Sequence, residues 1–190
     1  ATSFAPESLE ETGWSAEEQN YFLDACGGAM QAYGYDLGGE TGAKAKAAIL
    51  LAFTEDPALV TVSHIDNATD YSAGEPGAFQ LHPKMPGEPA PEVTFRGVEF
   101  HGHCRFFGGL DVRHESARPV LYRLRIRESG KDALLVDEHC IVQPGKPTPW
   151  NFEFAPLSGP MDVTLSTEMA PESPHNFYAW AHWVTPRFLP

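Results

Sequence analysis

Residues 119–127 read PVLYRLRIR. From Tyr122 onward, Tyr122, Leu124 and Ile126 alternate with Arg123, Arg125 and Arg127. A period of two sends successive side chains to opposite faces of a strand. One face is therefore apolar and should meet a core, while the other carries a basic stripe. This is the pattern of a half-buried strand in an antiparallel sheet.

Runs of similar character lie on either side. They fall at 59–65 (LVTVSHI), 77–82 (GAFQLH), 92–107 (EVTFRGVEFHGHCRFF, two strands or one long bent one), 133–143, 149–154 (PWNFEF), 160–167 (PMDVTLST) and 176–188. Pro, Gly and Asp clusters separate them, including the Pro-rich loop 83–91 (PKMPGEPAP). Seventeen Gly and seventeen Pro supply turns for many short strands, which favours a β-sandwich over a bundle. Upstream the period changes. Ser15 and Glu18 form a capping box ahead of Phe22, Cys26, Met30 and Tyr33, with Gly34 as a stop. Thr41 caps a second helical pattern, GAKAKAAILLAF, which must end before Pro57. The expected fold is mainly β: an antiparallel β-sandwich over 57–190, with two N-terminal α-helices within a helical segment 1–56.

The segment 57–190 resembles the carbohydrate-binding jelly-roll modules of the NPCBM and galactose-binding-like class. The residues that carry the likeness are VLYRLRIRESGK (120–131), PWNFEF (149–154) and the closing NFYAWAHWVTPRFL (176–189). Ala179 stands where that family's closing strand often carries Asp. The resemblance implies a jelly-roll sandwich and a glycan as ligand. A shorter stretch, GWSAEEQNYFLDACGGAMQAYGYD, is similar to the last helix of sulfotransferases through Cys26, Gly27, Met30, Gly34 and Tyr35. That family's phosphate-cradling Gly-rich loop has no counterpart in this chain, so the likeness implies the C-terminal portion of a modular enzyme without its catalytic part.

Charge excludes some partners. With 13 basic against 26 acidic residues the formal net charge is −13, which repels phosphate backbones and anionic lipid surfaces, so no nucleic acid is expected as partner. No apolar run is long enough for a membrane span, so no membrane insertion is expected. Three cysteines, Cys26, Cys104 and Cys140, are too few for a disulfide scaffold or a zinc site. A bridge between Cys104 and Cys140 requires their strands to face each other. The chain begins at Ala1, which suggests a processed chain or part of a larger polypeptide or assembly.

Several constellations carry chemistry. In the closing stretch, alternation puts Phe177, Ala179, Ala181 and Trp183 on one face, the better core candidate. Tyr178, Trp180, His182 and Val184 take the other, where a ligand would bind. Arg123, Arg125 and Arg127 are read either as an outward face neutralised by neighbouring carboxylates or as a site for an anionic sugar, because guanidinium forks match carboxylate and sulfate. His101 and His103, spaced H-x-H on a strand, should share a face with Glu99 and Arg105, the geometry of two metal ligands; two half-exposed strand histidines is the plainer alternative. Asp66, Asn67 and Asp70 make an oxygen-rich loop that fits either a structural calcium or ordinary turn chemistry. Otherwise no cofactor is expected. His139 and Cys140, adjacent on a strand, point opposite ways and make no dyad. No G-x-S-x-G, P-loop, H-E-x-x-H or G-x-G-x-x-G occurs.

The leading expectation is a non-catalytic binding or accessory module that takes a glycan, with preference for anionic sugars. Its candidate residues are Tyr178, Trp180, His182, Arg123, Arg125 and Arg127. Two alternatives stand beside it. One is a structural or accessory subunit that docks a partner protein. The other is the C-terminal portion of a modular enzyme such as a sulfotransferase.

Overall fold

The computed structural model describes residue 15 and residues 48–51, 56–66, 71–72 and 77–190. The chain divides into two units, residues 1–48 and 49–190, and the second is described below. The first expected helix beyond Ser15, most of the second, and the segment resembling a sulfotransferase helix lie outside the described residues.

Nine strands are present among the described residues: β1 (Ile49–Leu50), β2 (Val60–Ser63), β3 (Tyr71–Ser72), β4 (Ala78–Leu81), β5 (Glu92–Val112), β6 (Val120–Glu128), β7 (Leu134–Val142), β8 (Thr148–Met169) and β9 (Ala181–Leu189). Every strand pairing is antiparallel. The order is β3-β4-β9-β5-β8-β6-β7, with β1 added to β9 and β2 to β5. Ile49 and Leu50 correct one expectation, since they lie within the run read as a second helix. They pair instead with Phe188 and Arg187, and the Leu51 N–H donates to the Pro186 carbonyl at 2.9 Å. A short aliphatic run fits helix and strand equally by periodicity, and the unpaired backbone of β9 decides between them.

The two longest strands tie the layers together. The first residues of β5 (92–95) pair with β2 and with residues 163–166 of β8, while its last residues (105–112) pair with β9. Residues 161–169 of β8 pair with β6, and residues 148–166 with β5. Each strand thus passes from one layer into the other, and bulges between Phe95 and Val98 and on both sides of His103 bend the pair. The two runs read as separate strands, 149–154 and 160–167, are one strand. The prolines that suggested a break are accommodated: Pro156 falls in the irregularity between the Arg105–Glu153 and His103–Leu157 pairs, where no ladder hydrogen bond is needed.

The core lies between the layers. Val120, Tyr122, Leu124 and Ile126 are all fully buried, as the alternation of β6 requires. Tyr122 meets Trp183 of β9 edge-on at 5.2 Å, although β6 and β9 are not neighbours in the sheet. Phe100 and Phe188 (4.8 Å), Phe106 and Trp150 (5.5 Å), and Phe79 and Phe95 (6.2 Å) extend the same apolar layer. Side chains of this size each contribute ~1.5–3 kcal/mol when withdrawn from water. Cross-layer contact of this kind makes the unit an antiparallel β-sandwich. Cys104 and Cys140 are both free and half-buried. Burial pushes the Cys140 thiol up.

Candidate functional site

The segment between β8 and β9 is held by its own backbone and by neighbouring loops. The Ala170 N–H donates to the Pro119 carbonyl at 3.0 Å, and the Ser173 N–H to the Ala170 carbonyl at 2.8 Å. Asn176 Nδ2 reaches the Pro83 carbonyl at 3.1 Å. The Trp180 N–H then closes a tight turn onto the Tyr178 carbonyl at 2.9 Å. Tyr178 itself sits at a φ of 59°, in the left-handed region that non-glycine residues rarely adopt. Ala179, small and fully buried, anchors the turn. The rings on either side point outward: Phe177 is 64% exposed, Tyr178 51% and Trp180 41%.

These rings are organised. His114, from the loop between β5 and β6, stacks on Tyr178 with ring centroids 4.5 Å apart and planes 16° from parallel. It meets Trp180 edge-on at 5.8 Å, and Tyr178 meets Trp180 edge-on at 6.2 Å. His175 stacks on Phe177 at 4.8 Å. His182 places Nδ1 3.0 Å from the Trp180 carbonyl. Burial, and then the nearby Arg113 guanidinium, lower its pKa. Below, the Tyr122 hydroxyl donates to the Asp111 carbonyl at 2.8 Å, tying the end of β5 to the core. Interlocked rings that face water form a rigid apolar surface with polar edges, suited to a ligand with both characters.

The expected residues Tyr178, Trp180 and His182 therefore come together. One detail of the alternation is corrected. Ala179, Ala181 and Trp183 are buried as expected, but Phe177 is not in the core. β9 begins only at Ala181, and the left-handed turn at Tyr178 breaks the period ahead of it.

Arg123, Arg125 and Arg127 stand on the outward face of β6, each with a carboxylate. Arg123 grips Asp137 with two hydrogen bonds, Nε to Oδ1 and Nη2 to Oδ2, both at 2.6 Å. The pair raises the arginine's pKa and lowers the aspartate's. Arg125 donates to Glu92, and Arg127 lies 3.8 Å from Asp162. A cavity of about 100 Å³ opens among Glu92, Thr94, Arg125, Arg127, Leu134, Asp162 and Thr164. The stripe is thus neutralised by its neighbours.

His101 and His103 do not share a face. Gly102 between them takes a φ of 80°, and the register shifts on either side of His103. His101 is exposed, whereas His103 is buried beside Phe100 at 5.7 Å and accepts the His101 backbone N–H on Nδ1 at 3.1 Å. A residue in the left-handed region rotates the chain, so period-two reasoning fails across it. Arg105 lies 3.4 Å from Glu153 rather than joining a metal site. Asp66 pairs with Lys84, and Asp70 lies outside the described residues. Among the described residues no group of three His, Cys, Asp or Glu could hold a metal ion.

Sequence reasoning missed His114, Asp111 and Arg113. His114 sits in VRHESARP, a stretch with no periodic signal, and its place under Tyr178 follows from the pairing of β5 with β9.

No family model matches the chain, and no curated protein matches it. Among solved structures it is similar to carbohydrate-binding modules. A family 6 module from Clostridium cellulolyticum in complex with xylose is 12% identical, covering 76% of this chain and 98% of its own, with a TM-score of 0.41. The module CsCBM6-3 from Clostridium stercorarium in complex with cellobiose is 10% identical, covering 76% of this chain and 92% of its own, with a TM-score of 0.40. The K1 cleaved adhesin domain of Lys-gingipain from Porphyromonas gingivalis W83 is 11% identical, covering 75% and 96%, with a TM-score of 0.46.

Proposed function

We propose that residues 49–190 form a non-catalytic glycan-binding module whose contact surface is Tyr178 and Trp180, backed by His114 and flanked by Phe177 and His182. The observation that carries this reading is the exposure of three large rings on one hydrogen-bonded turn. A sugar ring offers an apolar C–H face and a rim of hydroxyls. The first fits the aromatic faces of Tyr178 and Trp180, and the second fits imidazole edges and backbone carbonyls. Preformed rings also lose little rotamer entropy on binding, which favours a ligand whose single contacts are weak. Anionic preference through Arg123, Arg125 and Arg127 would require those guanidiniums to leave Asp137, Glu92 and Asp162, so the module's first contact is stacking.

The test is a glycan array that includes xylose and cellobiose, followed by calorimetry on the best binder. Saturable binding that Trp180→Ala weakens by about thirtyfold or more, the scale of a Trp hot spot, supports the module. Silence across the array at high protein concentration removes it.

A second reading, a docking subunit, has its own observation. Leu135 and Ile141 on β7 are half-exposed on the same strand. A monomer in light scattering, with no partner retained from the native source, ends that reading.

A further inference from the structure

We infer that Arg113 selects for an anionic group, a carboxylate or a sulfate, on the sugar that lies against Tyr178 and Trp180. The inference deepens the glycan-binding reading and rests on it. Cross-strand pairing sets Asp111 of β5 opposite His182 of β9. Arg113 follows two residues later and precedes His114, whose ring contacts both Tyr178 and Trp180. Arg113 therefore stands in the chain between two residues that frame the aromatic surface, and its charge acts on His182.

The hydrogen bonds of Arg113 set it apart from the stripe on β6. Arg113 Nε makes one long contact with Asp111 Oδ2 at 3.4 Å, and its side chain is 51% exposed. Among the described residues nothing accepts from its Nη1 or Nη2. Arg123, by contrast, already spends Nε and Nη2 on Asp137. The Asp111 tether limits where the guanidinium swings while leaving its outer edge open. That edge presents two parallel N–H donors, the geometry that receives a carboxylate or sulfate in bidentate fashion. The rest of the protein repels such a ligand, since the chain carries a net −13 and Glu115 stands exposed two residues away. An anionic sugar thus needs a local donor at the contact surface, and Arg113 supplies it. The ligand class is an oligosaccharide with a uronate or a sulfated residue, its ring face on Trp180 or Tyr178 and its charge on Arg113.

The experiment titrates the full chain with three matched oligosaccharides, one neutral, one with a uronate and one sulfated, by calorimetry. Wild type, Arg113→Gln and Trp180→Ala are compared, with melting temperatures to confirm folding. The expected result is binding of one or both charged members about tenfold tighter than the neutral one, the scale of a charge-assisted contact. Arg113→Gln brings them to the neutral level, and Trp180→Ala weakens all three. A gain restricted to the uronate assigns carboxylate recognition, and one restricted to the sulfated member assigns sulfate. Raising the salt shrinks the preference, as for any exposed charge pair. Equal binding across the trio that Trp180→Ala still abolishes overturns the role of Arg113 and leaves the module standing. A preference that survives in Arg113→Gln overturns it as well. No binding by any member overturns both.

Discussion

Trp180 and Trp183 are three residues apart, and replacing each by alanine should have opposite consequences. Trp183 is fully buried and touches Tyr122 at 5.2 Å, Trp150 at 6.0 Å and Phe79 at 6.3 Å. Those partners come from three other strands on both layers, so the void left by alanine has no single neighbour that could fill it. Phe/Trp→Ala substitutions at such sites cost ~3–5 kcal/mol. One correction is specific to this position: Trp183 Nε1 is buried without a hydrogen-bond partner. An orphaned donor costs on the order of 1–3 kcal/mol, and alanine relieves it, which places the net loss near the lower end, at about 3 kcal/mol. For a unit of this size that is a melting temperature lower by roughly 10 °C. Trp183→Phe removes the orphan while keeping most of the ring and should lie within ~1.5 kcal/mol of wild type. Trp180→Ala strips a half-exposed ring from a turn held by backbone hydrogen bonds and should cost less than ~1 kcal/mol. Denaturant unfolding followed by circular dichroism measures all three. If Trp180→Ala is as destabilising as Trp183→Ala, the division of this segment into a core ring and a ligand-facing ring is wrong.

Two further outcomes follow from single contacts. Tyr122→Phe deletes the hydroxyl that donates to the Asp111 carbonyl and should cost ~1–2 kcal/mol, measured by the same unfolding assay. It should also weaken glycan binding, because that bond fixes the end of β5 ahead of Arg113 and His114. Asp137, whose pKa the Arg123 side chain lowers, contributes stability that is present above the ordinary carboxylate pKa of about 4. That contribution is lost as pH falls through the depressed folded value. Asp137→Asn should therefore be less stable than wild type at neutral pH, with the gap closing in acid; a gap that is constant with pH refutes the pairing.

What could be read in advance depended on whether chemistry was local. The alternation in β6 needed nothing but its own residues, and Val120, Tyr122, Leu124 and Ile126 are buried as it required. Alternation likewise separated Trp183 from Trp180, because Ala179, Ala181 and Trp183 keep the strand's phase. It failed at Phe177, where the left-handed Tyr178 rotates the chain, and at His101 and His103, where Gly102 does the same. The sequence of β8 reads as two strands because prolines usually end strands, and only the pairing with β5 shows that Pro156 meets a bulge. His114 and Arg113 carry no sequence signal at all. They join Tyr178, Trp180 and His182 because β5 and β9 pair across some seventy residues, and such register is a property of the whole sheet.

The central claim is that the rings of Tyr178 and Trp180 are a sugar-binding surface. Calorimetric titration of wild type and Trp180→Ala with the best array glycan tests it most directly. The account predicts saturable binding by wild type and a loss of about thirtyfold or more in Trp180→Ala, with a melting temperature lowered by no more than about 4 °C. Equal affinity in the two proteins would contradict it.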